Sequence, residues 1–451
     1  MRVHFIAIGG AAMHNLAIAL HKKGYTVTGS DDEIFEPSKS RLNKYGLLPK
    51  QMGWNPQVIT KDIDAVILGM HALLDNTELA KAQEIGLKIY SYPEYIYEQS
   101  KNKKRIVIGG SHGKTTITSM VLHVFKYHNI KFDYLVGAQI EGFETMVGLS
   151  ENAEYIVIEG DEYLSSPLDR KPKFHHYMPH IALLTGIAWD HINVFPTFEN
   201  YVEQFKKFTD LIEKNGSLIY YDGDKEINKI SDKLRDDIEK YPYQAHKNII
   251  ENNKTYLIVE DKKIELQVFG KHNLENINGA KNICNLANIS DKMFYEAITH
   301  FGGAAKRLQT LKSSENTDVF LDFAHSPSKL KATINAVKEQ YNDRELIACM
   351  ELHTFSSLKK EFLPQYKDTM KSADKAFVYF NPETIKHKHL DEISKEQVKT
   401  AFASKNIEVF TDSDLLVKAL LRINYHKKNL LLMSSGNFDG VNFKEFAKKI
   451  E

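Results

Sequence analysis

The run Gly109-Gly110-Ser111-His112-Gly113-Lys114-Thr115-Thr116 joins a β-branched stretch, Arg105 to Ile108, to a helical pattern from Thr116 to Lys126. Glycines at such a junction let backbone N–H groups approach phosphate oxygens. The Lys114 ammonium can neutralise β- and γ-phosphate charge, the Thr115 hydroxyl can reach a magnesium ion, and the helix N-terminus adds its dipole. The strict phosphate-loop pattern would place glycine where Ile108 stands, so this is a variant form. These types predict a nucleoside triphosphate site built on Gly110, Ser111, His112, Gly113, Lys114, Thr115 and Thr116.

Other stretches carry related chemistry. Tyr155 to Ile158 run into Glu159-Gly160-Asp161-Glu162, and a strand-like run to Gly186 leads into Trp189-Asp190-His191. The ends of adjacent parallel strands converge on one mouth, so Glu159 and His191 are read as magnesium ligands opposite the phosphate loop. Gly9-Gly10-Ala11-Ala12 is a weaker turn between strand and helix, with Asp31 about 20 residues on; it is either a nucleotide-diphosphate contact or a tight βα turn. His175-His176 have the type for a metal but no carboxylate or cysteine at ligand spacing, so peptide or sugar contact or simple exposure is expected. Glu351-Leu352-His353 ends a strand-like run at a substrate-facing position, and Arg344 with Lys359-Lys360 could pair with substrate carboxylates.

These groups need a scaffold. Short apolar runs alternate with helical patterns through three blocks: Val3 to Ile8, Tyr25 to Thr28, Ala65 to Gly69 and Leu87 to Tyr90; then Arg105 to Ile108, Tyr155 to Glu159 and Ile181 to Leu184; then Val319 to Asp322, Leu346 to Met350, Ala376 to Phe380, Glu408 to Phe410 and Leu430 to Ser434. Strands separated by helices predict right-handed crossovers and mostly parallel sheets, an α/β class. Ser100 to Arg105 reads as a solvated basic linker, and residues 222–265 as a solvent-facing helix and hairpin.

The 451 residues hold 59 Lys plus Arg against 59 Asp plus Glu, so no overall field draws the chain to nucleic acid or anionic membrane. Cys284 and Cys349 are the only cysteines and are far apart, which argues against disulfides or a structural zinc site and for a reducing, cytoplasmic setting. No apolar run approaches the roughly 18 residues that span a bilayer. Arg2 with Phe5 to Met13 superficially suggests a signal peptide, but no convincing cleavage site follows.

Taken in order, GGSHGKTT at 109–116, IEGDEY at 158–163, DH at 190–191, GKHNLENINGAKN at 270–282, KRLQ at 306–309, DFAHSP at 322–327 and MSSGNFDG at 433–440 resemble the motifs of the Mur ligases, ATP-dependent amide-forming enzymes of peptidoglycan assembly. The resemblance covers essentially the whole chain. It implies three domains: an N-terminal Rossmann-like UDP-sugar-binding domain over 1–102, a central P-loop ATPase-like domain with a mostly parallel sheet over 103–308, and a C-terminal Rossmann-like ligase domain over 309–451. It implies ATP and Mg²⁺ as cofactors, with Lys114, Glu159 and His191 as catalytic residues and Thr115, Glu159 and His191 as metal ligands. Asn276 resembles the adenine-contacting asparagine, and Arg307, Asp322 and His325 resemble residues that close over ATP. Gly9, Gly10, Ala11, Ala12 and Asp31 would hold the UDP-sugar. Ser326 departs from the second histidine of the family's FAHHP motif, and Ser111 from its threonine. Lys206 stands where some members carry a carbamylated lysine, but on a helix beside Lys207 it reads as a solvated face.

Within the family, Asp161 to Phe195, with its basic DRKPKFHHY segment, resembles the murein-peptide-ligating branch, which joins L-Ala-γ-D-Glu-meso-diaminopimelate to UDP-N-acetylmuramate through an acyl phosphate. The alternative is the branch that adds free L-alanine to the same sugar nucleotide; a P-loop ATP-binding regulatory protein is more remote. The expected partners are these small substrates, with no nucleic acid or membrane, for a monomer or weak homo-oligomer.

Overall fold

The computed structural model describes residues 1–189, 194–304, 306–404 and 406–450. Its contacts form two compact units, Met1–Gln244 with Asn276–Ile298, and Ala245–Glu275 with Thr299–Glu451.

In the first unit, the strands Thr26–Ser30, Arg2–Ile6, Ala65–Leu68 and Ile89–Ser91 lie in that order in a parallel sheet. Val3, Phe5 and Ile6 are buried because helices cover both faces, which is why parallel strands read as unbroken apolar runs. His4 interrupts the run without an unpaired polar group: its ring nitrogens meet Thr28 Oγ1 at 2.9 Å and Glu78 Oε2 at 3.2 Å.

A seven-stranded sheet follows in the order Glu239–Tyr243, Ser217–Tyr221, Ile181–Leu184, Lys104–Gly109, Tyr155–Glu159, Phe132–Leu135, Val147–Gly148, with only the last strand antiparallel. Lys104–Gly109 is central, and its neighbours on either side come from later chain. That arrangement opens a crevice at the strands' C-terminal ends. Sequence reading missed Phe132–Leu135, Ser217–Tyr221 and Glu239–Tyr243; the last, EKYPY, is a largely exposed edge strand with Pro242 and no apolar run.

The first sequence block and most of the second share this unit, in which one apolar cluster includes Phe5 and Leu16 together with Leu135, Val147 and Ile156. Polar ties add to it: Asn15 Oδ1 accepts from Met146 N at 2.9 Å, and Glu144 meets Lys22 at 2.5 Å and Lys44 at 2.6 Å. Those two lysines and the Tyr45 hydroxyl, all donating to it, hold the Glu144 carboxyl down at about 2.

The expectation of a solvated linker at Ser100 to Arg105 holds for the exposed Lys101, Asn102 and Lys104 and is corrected for the other three residues. Ser100, Lys103 and Arg105 are buried. Lys103 Nζ lies 2.7 Å from Asp133 Oδ2, and Arg105 donates to the carbonyls of Met178, Ser100 and Lys101 and to Glu213 Oε1 at 2.6 Å. Lys103 and Arg105 thus neutralise and hydrogen-bond chain that folds over them. Removing one partner leaves the other charge buried, so Asp133→Ala is expected to cost about 3–5 kcal/mol in urea unfolding. A loss indistinguishable from that of an exposed Asp→Ala change would contradict this.

In the second unit, Asn248–Glu251, Lys254–Val259 and Lys262–Glu265 form an antiparallel sheet. Its hairpins turn at Asn252-Asn253 and Glu260-Asp261, where every φ is positive, the geometry of tight two-residue turns. The hairpin expected within 222–265 is present, and the expected helix is Lys225–Ser231 in the first unit.

A six-stranded sheet runs Gln309–Ser313, Asp318–Asp322, Lys428–Met433, Glu345–Glu351, Lys375–Tyr379, Ile407–Phe410, parallel after the first pair. One apolar cluster with Phe320, Ala348 and Leu431 and another with Val319, Cys349 and Leu432 cover its two faces. The α/β class expected from sequence is observed.

Candidate active site

The phosphate loop leaves the end of Lys104–Gly109 and enters the helix Lys114–Tyr127 through Gly113, whose φ of +75° caps the helix. Gly110 has φ +119°, and a Cβ there would stand 2.1 Å from Thr185 Oγ1, so only glycine fits. The loop is tied to the next strand's end: Thr185 N donates to Gly109 O at 3.1 Å, Ser111 N to Gly186 O at 2.8 Å, and the Thr185 hydroxyl to His112 O. A Cβ on Gly113 would lie 2.3 Å from Asn276 Oδ1, which brings the loop and the expected adenine contact together.

Lys114 Nζ donates to Gly110 O at 2.6 Å and to Glu162 Oε2 at 2.7 Å. Burial alone would lower this ammonium, but the carboxylate of Glu162, helped by Asp161 and Glu159, carries it above its ordinary value. Glu162 Oε1 accepts from the Tyr201 hydroxyl at 3.1 Å, which lies 3.0 Å from Ser111 Oγ. The Thr115 hydroxyl donates to Glu159 Oε1 at 2.8 Å, and Gly137 N donates to Oε2 at 2.7 Å. The structure therefore gathers Ser111, Lys114, Thr115, Glu159 and Asn276 around the loop, with Thr116 buried in the first helical turn. Next to them, burial would raise the Asp161 carboxyl, but Lys173, 2.5 Å away, and Lys114 hold it below the usual carboxylate value.

His191 lies outside the described residues. Lys206 stays on an exposed helix face, 3.9 Å from Glu203 Oε2. Sequence reasoning missed Glu162 and Tyr201 as site residues. Glu162 stood inside a motif already noted, but its partner lies 48 residues upstream.

At the first glycine turn, Gly10 caps Ala11–Lys22, a helix with no side-chain cap and no acid in its first turn, an arrangement suited to an anion. Asp31 is buried beneath it; Oδ2 accepts from Gly9 N at 2.6 Å and Oδ1 from Asp32 N at 3.0 Å, so both oxygens hold backbone. Burial pushes this carboxyl from 3.8 up to about 6. The folded state therefore holds the proton more tightly than the unfolded chain. Stability from this group is present below about pH 4 and lost as pH rises through about 6. Between those values Asp31 pulls the urea midpoint down as pH rises, so Asp31→Asn should shift the slope of midpoint against pH upward relative to the parent; an unchanged slope in the variant would refute the assignment.

In the second unit, Asp322 Oδ2 accepts from Leu308 N at 2.9 Å and Oδ1 from Ala324 N at 2.7 Å. Burial raises its pKa against the pull of His272 and Arg307. The Arg307 guanidinium covers the Phe323 ring at 4.6 Å, and His325 Nδ1 meets Phe323 O at 2.9 Å. Arg344 pairs with Asp318 at 2.6 Å and donates to Asn429 and Glu315, so it is committed to the fold and not to substrate. Glu351 is buried, accepting from Phe438 N at 2.9 Å and from Ser434 Oγ, with His353 Nδ1 at 3.6 Å.

The exposure considered for His175-His176 is corrected as well. Phe174 stacks between His175 and Phe208, 4.8 Å from each, and His175 Nε2–H donates to Gln204 O at 2.8 Å. Burial depresses His175 to about 4. His176 also finds the carboxylate partner that spacing did not offer, Asp169 at 2.9 Å.

Comparison with known proteins accords with this geometry. Residues 2–104 match the Mur ligase family catalytic domain, 108–284 the Mur ligase middle domain, and 306–436 the Mur ligase glutamate ligase domain. A UDP-N-acetylmuramate–L-alanine ligase from Carboxydothermus hydrogenoformans is 27% identical over 99% of this chain and 97% of its own length; one from Clostridium kluyveri is 32% identical over 80% of each. Among solved structures, a murein peptide ligase from Psychrobacter arcticus superposes with a TM-score of 0.65 at 22% identity, covering 100% of this chain and 98% of its own. A UDP-N-acetylmuramate–alanine ligase from Thermotoga maritima gives 0.71 at 19%, covering 100% and 99%. The chain belongs to the Mur ligase family and shares its three-domain α/β fold. It is accordingly an ATP-dependent ligase that forms amide bonds. Among the described residues no helix is long and apolar enough to cross a membrane.

Proposed function

We propose that the enzyme joins the amine of an L-alanyl donor to the lactyl carboxylate of UDP-N-acetylmuramate. The observation that carries this reading is the single polar cluster at the crevice mouth, where Lys114 meets Glu162 at 2.7 Å and Thr115 meets Glu159 at 2.8 Å. Amide formation from a carboxylate needs activation. A carboxylate oxygen attacks the γ-phosphorus of ATP, and the β,γ-bridging P–O bond breaks with its electrons leaving on ADP. The amine nitrogen then attacks the acyl carbon, loses a proton, and the tetrahedral adduct expels inorganic phosphate.

The chain's contribution is positioning and charge. Loop N–H groups and the N-terminus of Lys114–Tyr127 face the phosphates, and Lys114 exchanges Glu162 for them. Thr115 Oγ1 and the Glu159 carboxylate are adjacent hard oxygen donors and fit Mg²⁺, which when bound supplies further neutralisation of triphosphate charge. In this reading 1–102 holds the sugar nucleotide on the Gly9–Ala12 turn, 103–308 holds ATP, with Asn276 on the adenine, and 309–451 receives the amine.

Free L-alanine is the donor that the names of the 27% and 32% identical relatives favour over the tripeptide preferred on sequence. The tripeptide is a second reading. It is favoured by the basic segment from Asp169 to Tyr177, which leaves Arg170 and Lys171 exposed, buries Phe174 and His175, and sets Lys173 on Asp161 at 2.5 Å, the carboxylate that Lys114 also acts on. Incubation of the enzyme with ATP, Mg²⁺, UDP-N-acetylmuramate and each donor, read by product mass, decides: the L-alanine adduct supports the first reading, the tripeptide adduct alone supports the second, and ATP turnover with neither overturns both.

A further inference from the structure

Glu94, Asp169 and His176 come from separate segments of the first unit: the opening turn of the helix Tyr92–Ser100, the loop closed by the Leu164–Pro172 bridge, and the short turn Lys173–His176. One imidazole nitrogen and one oxygen of each carboxylate all lie within 4.8 Å of one another. His176 Nε2 is buried and stands 2.9 Å from Asp169 Oδ2, so the imidazole nitrogen faces the two carboxylates and not solvent.

Both carboxylates are held from behind. Glu94 Oε2 accepts from Ser91 N and Ser91 Oγ, each at 2.7 Å, and Asp169 Oδ1 accepts from Lys171 N at 3.0 Å. Each therefore has its second oxygen to offer, oriented by backbone, as metal-ligating carboxylates are. A cavity of about 560 Å³ lined by Glu94, His176, Tyr97 and Lys207 gives an ion a path in.

We propose that Glu94, Asp169 and His176 bind a divalent transition-metal ion of the zinc class, at a site separate from the phosphate loop. One imidazole and two carboxylates match the nitrogen and oxygen donors such ions take, with water completing the shell, whereas Mg²⁺ prefers oxygen alone. The ion ties the helix Tyr92–Ser100 to the segment that carries Lys173. This inference does not depend on the amine donor or on the ligase reading.

The test is calorimetric titration of the chelator-treated full chain with ZnCl₂, without nucleotide. One equivalent is expected to bind, and Glu94→Gln and Asp169→Asn, which keep the acceptors for Ser91 N and Lys171 N, should each weaken it at least about tenfold. His176→Gln should abolish it, and Glu159→Gln should leave it in place. Zinc should also raise the melting midpoint of the parent protein but not of Asp169→Asn. No zinc equivalent, or one lost in Glu159→Gln and kept in Asp169→Asn, overturns the proposal.

Discussion

Methionine in place of Lys114 is expected to lower turnover at least about a hundredfold, the usual worth of one positioned electrostatic donor. The Lys114 ammonium is the cation at the loop and is held charged by Glu162 at 2.7 Å, so no proton has to be acquired before it meets phosphate. Methionine keeps the length and apolar stem but removes the charge. It also leaves Glu162, a buried carboxylate, with its Tyr201 bond and without its cation, so a lowered melting midpoint should accompany the loss. The check is steady-state phosphate release beside a thermal melt of the same preparation. A folded variant retaining more than about a tenth of parental turnover would contradict the role.

Glu159→Gln is expected to produce a loss of about a hundredfold or more, with a different signature. Both Glu159 oxygens are in use, one accepting from the Thr115 hydroxyl and the other from Gly137 N. An amide keeps one acceptor and turns a donor toward the other contact, and it loses the negative charge that a hard cation requires. Turnover should fall while the Mg²⁺ concentration for half-maximal rate rises, and excess Mg²⁺ should restore part of the activity. For Lys114→Met no Mg²⁺ concentration should restore it. A Glu159 variant with an unchanged Mg²⁺ dependence would place the cation elsewhere.

The phosphate loop was legible because its signal is local: glycines, a lysine and a hydroxyl at a strand-to-helix junction, all within Gly109 to Thr116. Glu159 was legible as a strand end, since Tyr155–Glu159 is a buried apolar run that stops at a carboxylate. Glu162 was not, because a buried lysine takes its counter-charge from wherever the chain brings one, and here that is 48 residues away. The same nonlocality hid Lys103 and Arg105, whose partners Asp133 and Glu213 lie on other elements and turn an apparent linker into buried structure. It hid the partners of His176 too, since Glu94 lies on a helix of the N-terminal block. For Asp322 the residue type was visible but its orientation was not; its oxygens hold the backbone at Leu308 and Ala324.

The central claim is that the pocket at the strand ends moves a phosphoryl group onto a carboxylate oxygen. UDP-N-acetylmuramate carrying ¹⁸O in its lactyl carboxylate, turned over with ATP and an accepted amine, tests it through the mass of the inorganic phosphate released. Transfer through an acyl phosphate predicts one ¹⁸O atom in each phosphate formed. Phosphate without the label, in the presence of labelled amide product, would contradict the account.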